Sequence, residues 1–154
     1  MGRAKDDKMN VRVFKKHSER DVRIQSAITA IKAILPLALY PAHKKELIGI
    51  CIWKMTEADG KFNTRYRSLG SLESERGVKL QHEHVLEMKK LIADLIERGE
   101  DIESVVAKAI GCVVTRDEHS ILSAVSKNEP NLHGWERYKR AGIRVFDLEE
   151  QREL

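Results

Sequence analysis

Residues 110–122 read IGCVVTRDEHSIL, and this stretch decides the predicted fold. Its first half is apolar and β-branched towards its end, which predicts a short strand. Thr115 and Glu118 then have the spacing of a capping box, in which both side chains bond backbone N–H groups at the start of a helix. The stretch therefore predicts a strand that leads directly into a helix, with His119 early in that helix.

Working outward, apolar residues recur at helical spacing in several other stretches, most clearly over residues 22–35, 47–55 and 84–98. Short strands are predicted near residues 11–14 and 143–148, where apolar and polar residues alternate or β-branched residues cluster. The sequence thus predicts a single α+β, mainly helical domain. We expect four or five helices and two or three short strands.

The length of 154 residues fits one domain. We expect a flexible basic arm over residues 1–10, one globular domain over 11–148 and an acidic tail over 149–154. The net charge is +4, and basic residues outnumber acidic ones by seven to three in residues 1–20 and by four to one in residues 136–144. Such stretches predict a polyanionic partner such as nucleic acid, although an ordinary solvated surface has the same composition.

The sequence lacks the features of secreted, membrane-spanning and disulfide-bonded proteins. The N-terminal residues form no apolar signal segment, and no apolar run approaches the roughly twenty residues of a membrane span. Cys51 and Cys112 both lie within apolar runs, which is typical of buried free thiols in a reducing compartment. We therefore predict a cytoplasmic protein with no membrane association.

The triplet His82-Glu83-His84 lies where a polar loop meets a predicted helix. In an extended backbone, His82 and His84 point to the same side and could hold one metal ion or activate a water molecule. In a helix they would be about 200° apart and could not share a site. The alternative is a charged helix start in which Glu83 complements the helix dipole.

A second candidate is Arg65-Tyr66-Arg67, within the long polar segment 61–79, which is predicted as a loop with a strand near residues 64–69. In a strand, Arg65 and Arg67 would face the same way and could clamp a phosphate, because guanidinium forks match phosphate oxygens. A solvated strand edge would explain the same pattern.

Taken together, His82-Glu83-His84-Val85 and the stretch from Val113 to Leu122 resemble the HNH, or His-Me finger, nucleases over about residues 80–122. The resemblance implies that His84 is the general base and that Glu83 and His119 are metal ligands. A divalent cation (Mg²⁺, Mn²⁺ or Zn²⁺) would then hold the scissile phosphate, with Arg65 and Arg67 as its clamp. Two predicted helices separate His84 from His119, where the family has a short loop.

The leading hypothesis is therefore a metal-dependent endonuclease of DNA or RNA. The alternative is a non-catalytic helical module that binds nucleic acid or a protein partner through its basic faces. The same side chains could also form a zinc site from His82, His84 and His119, with Cys112 as a possible fourth ligand. A metal shared by His84 and His119 requires their imidazoles to lie on one side of the fold, within about 7 Å.

Overall fold

The computed structural model of the chain describes residues 11–74 and 76–154, so the predicted basic arm 1–10 lies outside the described residues. Within those two ranges the chain forms seven helices and one five-stranded sheet. The predicted α+β, mainly helical class is confirmed. The helix count is higher than predicted because several of the helices are only two turns long or shorter.

The helices are α1 (Arg20–Ile34), α2 (Pro41–Thr56), α3 (Leu69–Glu73), α4 (Met88–Ile96), α5 (Ile102–Lys108), α6 (Arg116–Asn128) and α7 (Trp135–Ala141). The strands are β1 (Tyr66–Ser68), β2 (Leu80–His84), β3 (Gly111–Thr115), β4 (Val145–Asp147) and β5 (Arg152–Glu153). None of the helices formed by the described residues is long and apolar enough to cross a bilayer.

The sheet is built around β3, in the order β2-β3-β1-β4-β5. Strands β1 and β3 are parallel, and the other pairs are antiparallel. Cys112, Val113 and Val114 are all buried because both faces of β3 are covered, which explains its continuous apolar run. The predicted capping box of Thr115 and Glu118 starts α6 directly after β3.

The apolar residues form two clusters. One lies among α1, α2, α4 and α5, with Ile31, Ile48, Ile52 and Leu91 completely buried. The other lies between the sheet and helices α6 and α7, and it includes Leu122 and Tyr138. The sheet therefore has α6 and α7 on one face, whereas α2 reaches its other face at β2.

Strand β2 differs from the prediction, which starts a helix at about His84. The backbone stays extended to His84 because residues 80–84 pair with β3, and α4 begins only at Met88. Gly111, which pairs with His84, leaves room for the His82 ring, since a β-carbon at that position would lie 2.6 Å from it. A side chain on residue 111 would displace that imidazole.

Three smaller differences concern the ends and the long loop. The segment 61–79, predicted as a loop with one strand, also contains the five-residue helix α3. Residues 11–14 form no strand, although the Phe14 N–H donates to the carbonyl of Leu148 (3.1 Å). At the other end, residues 152 and 153 pair with β4 as β5, within the segment predicted as an acidic tail outside the globular domain.

Candidate functional site

Strand β2 divides the predicted site residues between its two faces, because successive side chains of a strand point to opposite sides. His82 and His84 face α2, where both contact Trp53. Glu83 faces the opposite side, where it contacts His119 of α6 and Arg137 of α7. The backbone at 82–84 is thus extended, which is the condition for His82 and His84 to point to one side, and it separates the glutamate from both histidines.

On the α2 face, His82 and His84 are joined through the hydroxyl of Thr56. The His82 Nδ1–H donates to the carbonyl of Lys61 (2.7 Å), so its Nε2 accepts from the Thr56 hydroxyl (3.2 Å). The hydroxyl oxygen in turn accepts from the Nε2–H of His84 (3.0 Å). Both imidazoles are buried, and three of their four ring nitrogens are engaged in this chain of hydrogen bonds.

Burial lowers the pKa of both histidines, and for His84 the pKa falls to about 4, with the neighbouring His82 as the smaller cause. The unfolded chain takes up this proton near pH 6.5, whereas the folded protein takes it up only near pH 4. Stability from neutral His84 is therefore fully present above pH 6.5 and is lost as the pH falls towards 4.

We expect the free energy of unfolding to fall by about 3 kcal/mol between pH 6.5 and pH 4, because the unfolded chain binds a proton at His84 more readily than the folded protein does. Urea denaturation at several pH values measures this loss, and His84→Gln should reduce it while keeping a donor for Thr56. The exposed His17 provides the matched control, since His17→Gln should leave the wild-type pH dependence unchanged. An unchanged slope in His84→Gln over this window would contradict the assignment.

On the other face, Glu83 lies between His119 and Arg137. The His119 Nδ1 and the Glu83 Oε2 are in direct hydrogen-bond contact. Arg137 Nη2 lies 3.4 Å from Glu83 Oε1 and also donates to the carbonyls of His84 (2.8 Å) and Val85 (3.0 Å). The His119 side chain is 42% exposed and that of Glu83 is 13% exposed, so solvent and solutes reach this pair.

The predicted site residues therefore fall into two groups. Glu83 and His119 are brought together, whereas His82 and His84 lie on the other side of β2. A metal ion shared by His84 and His119 has no place in this arrangement, and neither has His84 as a general base for a site at His119. Cys112 is completely buried, and burial raises the pKa of its thiol well above the usual range, so it is no fourth ligand.

Arg65 and Arg67 do not form the predicted phosphate clamp. Arg65 makes a bidentate pair with Asp147 (2.8 and 2.9 Å) and contacts two glutamates of the chain end as well, Glu149 and Glu150. The hydrogen bonds that Arg65 donates to the Asp147 carboxylate raise the pKa of Arg65. Arg67 is buried against Ser71, and burial lowers its pKa. Each arginine thus connects β1 to a neighbouring element, Arg65 to β4 and Arg67 to α3.

The basic stretch 136–144 is also largely neutralised within the fold. Arg137 is buried between α7 and β2, and the other basic residues form ion pairs with carboxylates: Lys139 with Glu136, Arg140 with Glu129 and Arg144 with Glu153. This stretch therefore presents less net positive charge than its sequence predicts.

Sequence reasoning missed a second histidine–carboxylate pair beside Arg137. His133 Nδ1 lies 3.2 Å from Glu87 Oε1, and the same oxygen lies 3.4 Å from Arg137 Nε. Glu87 lies four residues after Glu83, but His133 lies in the turn-forming stretch that follows Pro130, where no sequence pattern predicts its contacts. Nothing in the sequence distinguishes the buried Arg137 from the other, exposed basic residues of the stretch 136–144.

Among the described residues, no group of three or more histidine, cysteine, aspartate or glutamate side chains converges to hold a metal ion. A cation at the Glu83–His119 pair would thus have two protein donors. No protein-family model, curated protein or solved structure matches the chain.

Proposed function

We propose that this chain is a metal-dependent phosphodiesterase that hydrolyses nucleic acid, with Glu83 and His119 at the centre of its active site. The observation that carries the proposal is their direct contact. The two side chains are 36 residues apart in sequence, and both are accessible to solvent. A histidine held by a carboxylate is the arrangement in which imidazoles act as ligands or proton carriers.

The local fold supports the proposal as well. The HNH resemblance implies two antiparallel strands followed by a helix that carries a histidine. Strands β2 and β3 are antiparallel, α6 follows β3, and His119 lies on α6. Helices α4 and α5 occupy the connection between the strands, which accounts for the long separation of the two motifs.

Glu83 and His119 would hold a divalent cation by exchanging their mutual hydrogen bond for bonds to the ion, which would take its other ligands from water and substrate. Mg²⁺ is commonly held by one or two carboxylates together with phosphate oxygens, and Mn²⁺ and Zn²⁺ also accept imidazole. When bound there, such an ion would stabilise the charge on the phosphoryl oxygens. Arg137 holds Glu83 in place from the buried side.

Two exposed basic residues lie close to this pair and suit the phosphate backbone. Arg116 is three residues before His119, so both lie on one face of α6. The Arg116 N–H donates to the carbonyl of Lys79 (3.0 Å), which places Lys79 beside the start of the same helix. Arg116 and Lys79 are therefore the phosphate contacts of this proposal, in place of Arg65 and Arg67.

The test is cleavage of single- and double-stranded DNA and RNA by the full chain with Mg²⁺, Mn²⁺ or Zn²⁺, and with EDTA. We expect cleavage that requires one of these cations. Glu83→Gln, purified in the same way, is the comparator that excludes a contaminating nuclease, and it should cleave at least 100-fold more slowly. Equal cleavage by both proteins would refute the proposal, and so would the absence of cleavage by either protein with every substrate and cation. Salt-dependent binding of nucleic acid without cleavage would favour the non-catalytic module.

A further inference from the structure

The pair formed by His133 and Glu87 repeats the pair formed by His119 and Glu83. In each, the histidine Nδ1 contacts a glutamate carboxylate, and the imidazole is partly exposed. The His133 side chain is 34% exposed and that of Glu87 is 29% exposed. His133 lies just before α7, and Glu87 lies just before α4.

Arg137 holds the two pairs next to each other. Its Nη2 lies 3.4 Å from Glu83 Oε1, and its Nε lies 3.4 Å from Glu87 Oε1. These nitrogens belong to one planar guanidinium, which is fixed further by Ser126 at Nη1 (3.1 Å). With 2% of its side chain exposed, Arg137 is a rigid spacer between the carboxylates.

The Nε of Arg137 is buried and makes no well-directed hydrogen bond with any described residue. Its closest acceptor is the Glu87 carboxylate. Glu87 therefore faces positive charge from the guanidinium on one side and the His133 ring on the other. A carboxylate in this position fixes the orientation of the imidazole.

We propose that His133 is the general base of this active site. The inference rests on the proposed function, and it gives His133 the role that the sequence resemblance assigns to His84. The Nδ1–H of His133 donates to Glu87, which leaves the Nε2 lone pair available to a water molecule. As the water oxygen bonds to phosphorus, Nε2 takes its proton; the bond from phosphorus to the leaving oxygen breaks, and that oxygen is protonated by solvent.

The other histidines are placed unfavourably for this role. His82 and His84 are buried on the opposite face of β2, and His119 is a proposed cation ligand. His43 makes an edge-to-face contact with Tyr40 at the start of α2, and His17 accepts from the backbone N–H of Glu19 before α1. His133 is the remaining imidazole of the six in the chain, and it shares Arg137 with the proposed cation site.

The test compares cleavage rates of His133→Ala and His43→Ala with the wild type over a range of pH. We expect His133→Ala to lower kcat by about 10²- to 10⁴-fold and His43→Ala to leave it unchanged. The acidic limb of the pH–rate profile should disappear in His133→Ala. Added imidazole should restore part of its rate, because a free base can enter the space that the side chain leaves.

The concentration of cation that gives half-maximal activity should be the same in His133→Ala and the wild type. Wild-type rates in His133→Ala would overturn this inference and leave the proposed function standing. A slow variant with an unchanged pH profile and no rescue by imidazole would make His133 structural and would also overturn it. If the wild type itself cleaves no substrate, the proposed function fails, and the inference fails with it.

Discussion

Arg137→Met is expected to lower the free energy of unfolding by about 3 to 5 kcal/mol, as is typical when one partner of a buried ion pair is removed. The substitution keeps an unbranched side chain of similar length but removes every donor. It leaves the Glu83 and Glu87 carboxylates without their cation and the carbonyls of His84 and Val85 without their donor. Urea denaturation followed by circular dichroism measures the loss.

Arg140→Met is the matched control for this prediction, because Arg140 lies about one turn after Arg137 on the same helix. Its side chain is 64% exposed and pairs with Glu129 on the surface. Exposed pairs contribute about 0 to 1 kcal/mol, so we expect Arg140→Met to change stability by less than 1 kcal/mol. Similar losses in the two variants would show that Arg137 does not anchor the two carboxylates.

His119→Ala is expected to reduce cleavage by at least 100-fold at limiting Mn²⁺. Loss of a residue that only supports a metal ligand typically costs 10- to 100-fold in metal affinity or activity, and His119 is itself a donor of the proposed site. The variant should need a higher Mn²⁺ concentration for half-maximal activity. Because the His119 side chain is 42% exposed, its removal should leave the unfolding free energy within about 1 kcal/mol of the wild type.

A Mn²⁺ titration of cleavage rate measures this effect, with Ser123→Ala, an exposed position on α6, as the control. Two observations together would speak against His119 as a ligand: a normal Mn²⁺ requirement and a normal maximal rate. If the maximal rate alone falls and the Mn²⁺ requirement stays normal, His119 acts in the chemical step.

The sequence predicts correctly those elements whose formation depends on residues close together in the chain. The Thr115–Glu118 box and the apolar run before it predict β3 and α6 correctly, because a cap and a buried strand are both readable within ten residues. Likewise, the helical spacing over residues 47–55 predicts a helix that α2 contains. Strand β2 is different, since its residues are polar and its extended form depends on pairing with β3, about thirty residues further along the chain.

The candidate site was only half predictable for the same reason. An extended backbone at 82–84 gives the alternation of side chains, but only the packing of α2, α6 and α7 determines what each face contacts. This packing puts His84 beside Thr56 and Glu83 beside His119. Arg137 and His133 were missed because a buried arginine and a loop histidine acquire their roles from tertiary contacts, which no spacing along the chain encodes.

The long connection between β2 and β3 also determines the order in which the molecule can assemble. Closing a loop that spans residues 85–110 has an entropic cost, which is reduced once α4 and α5 have packed against α1 and α2. Glu83 lies before this connection, and Glu87 lies near its start. The residues that contact the two glutamates all follow it: His119, His133 and Arg137. A nascent chain that has not yet produced α7 therefore lacks the arginine that fixes both carboxylates. A chain whose helical half is still unfolded lacks the packing that fixes the connection between β2 and β3, so the proposed site forms only in the completed fold.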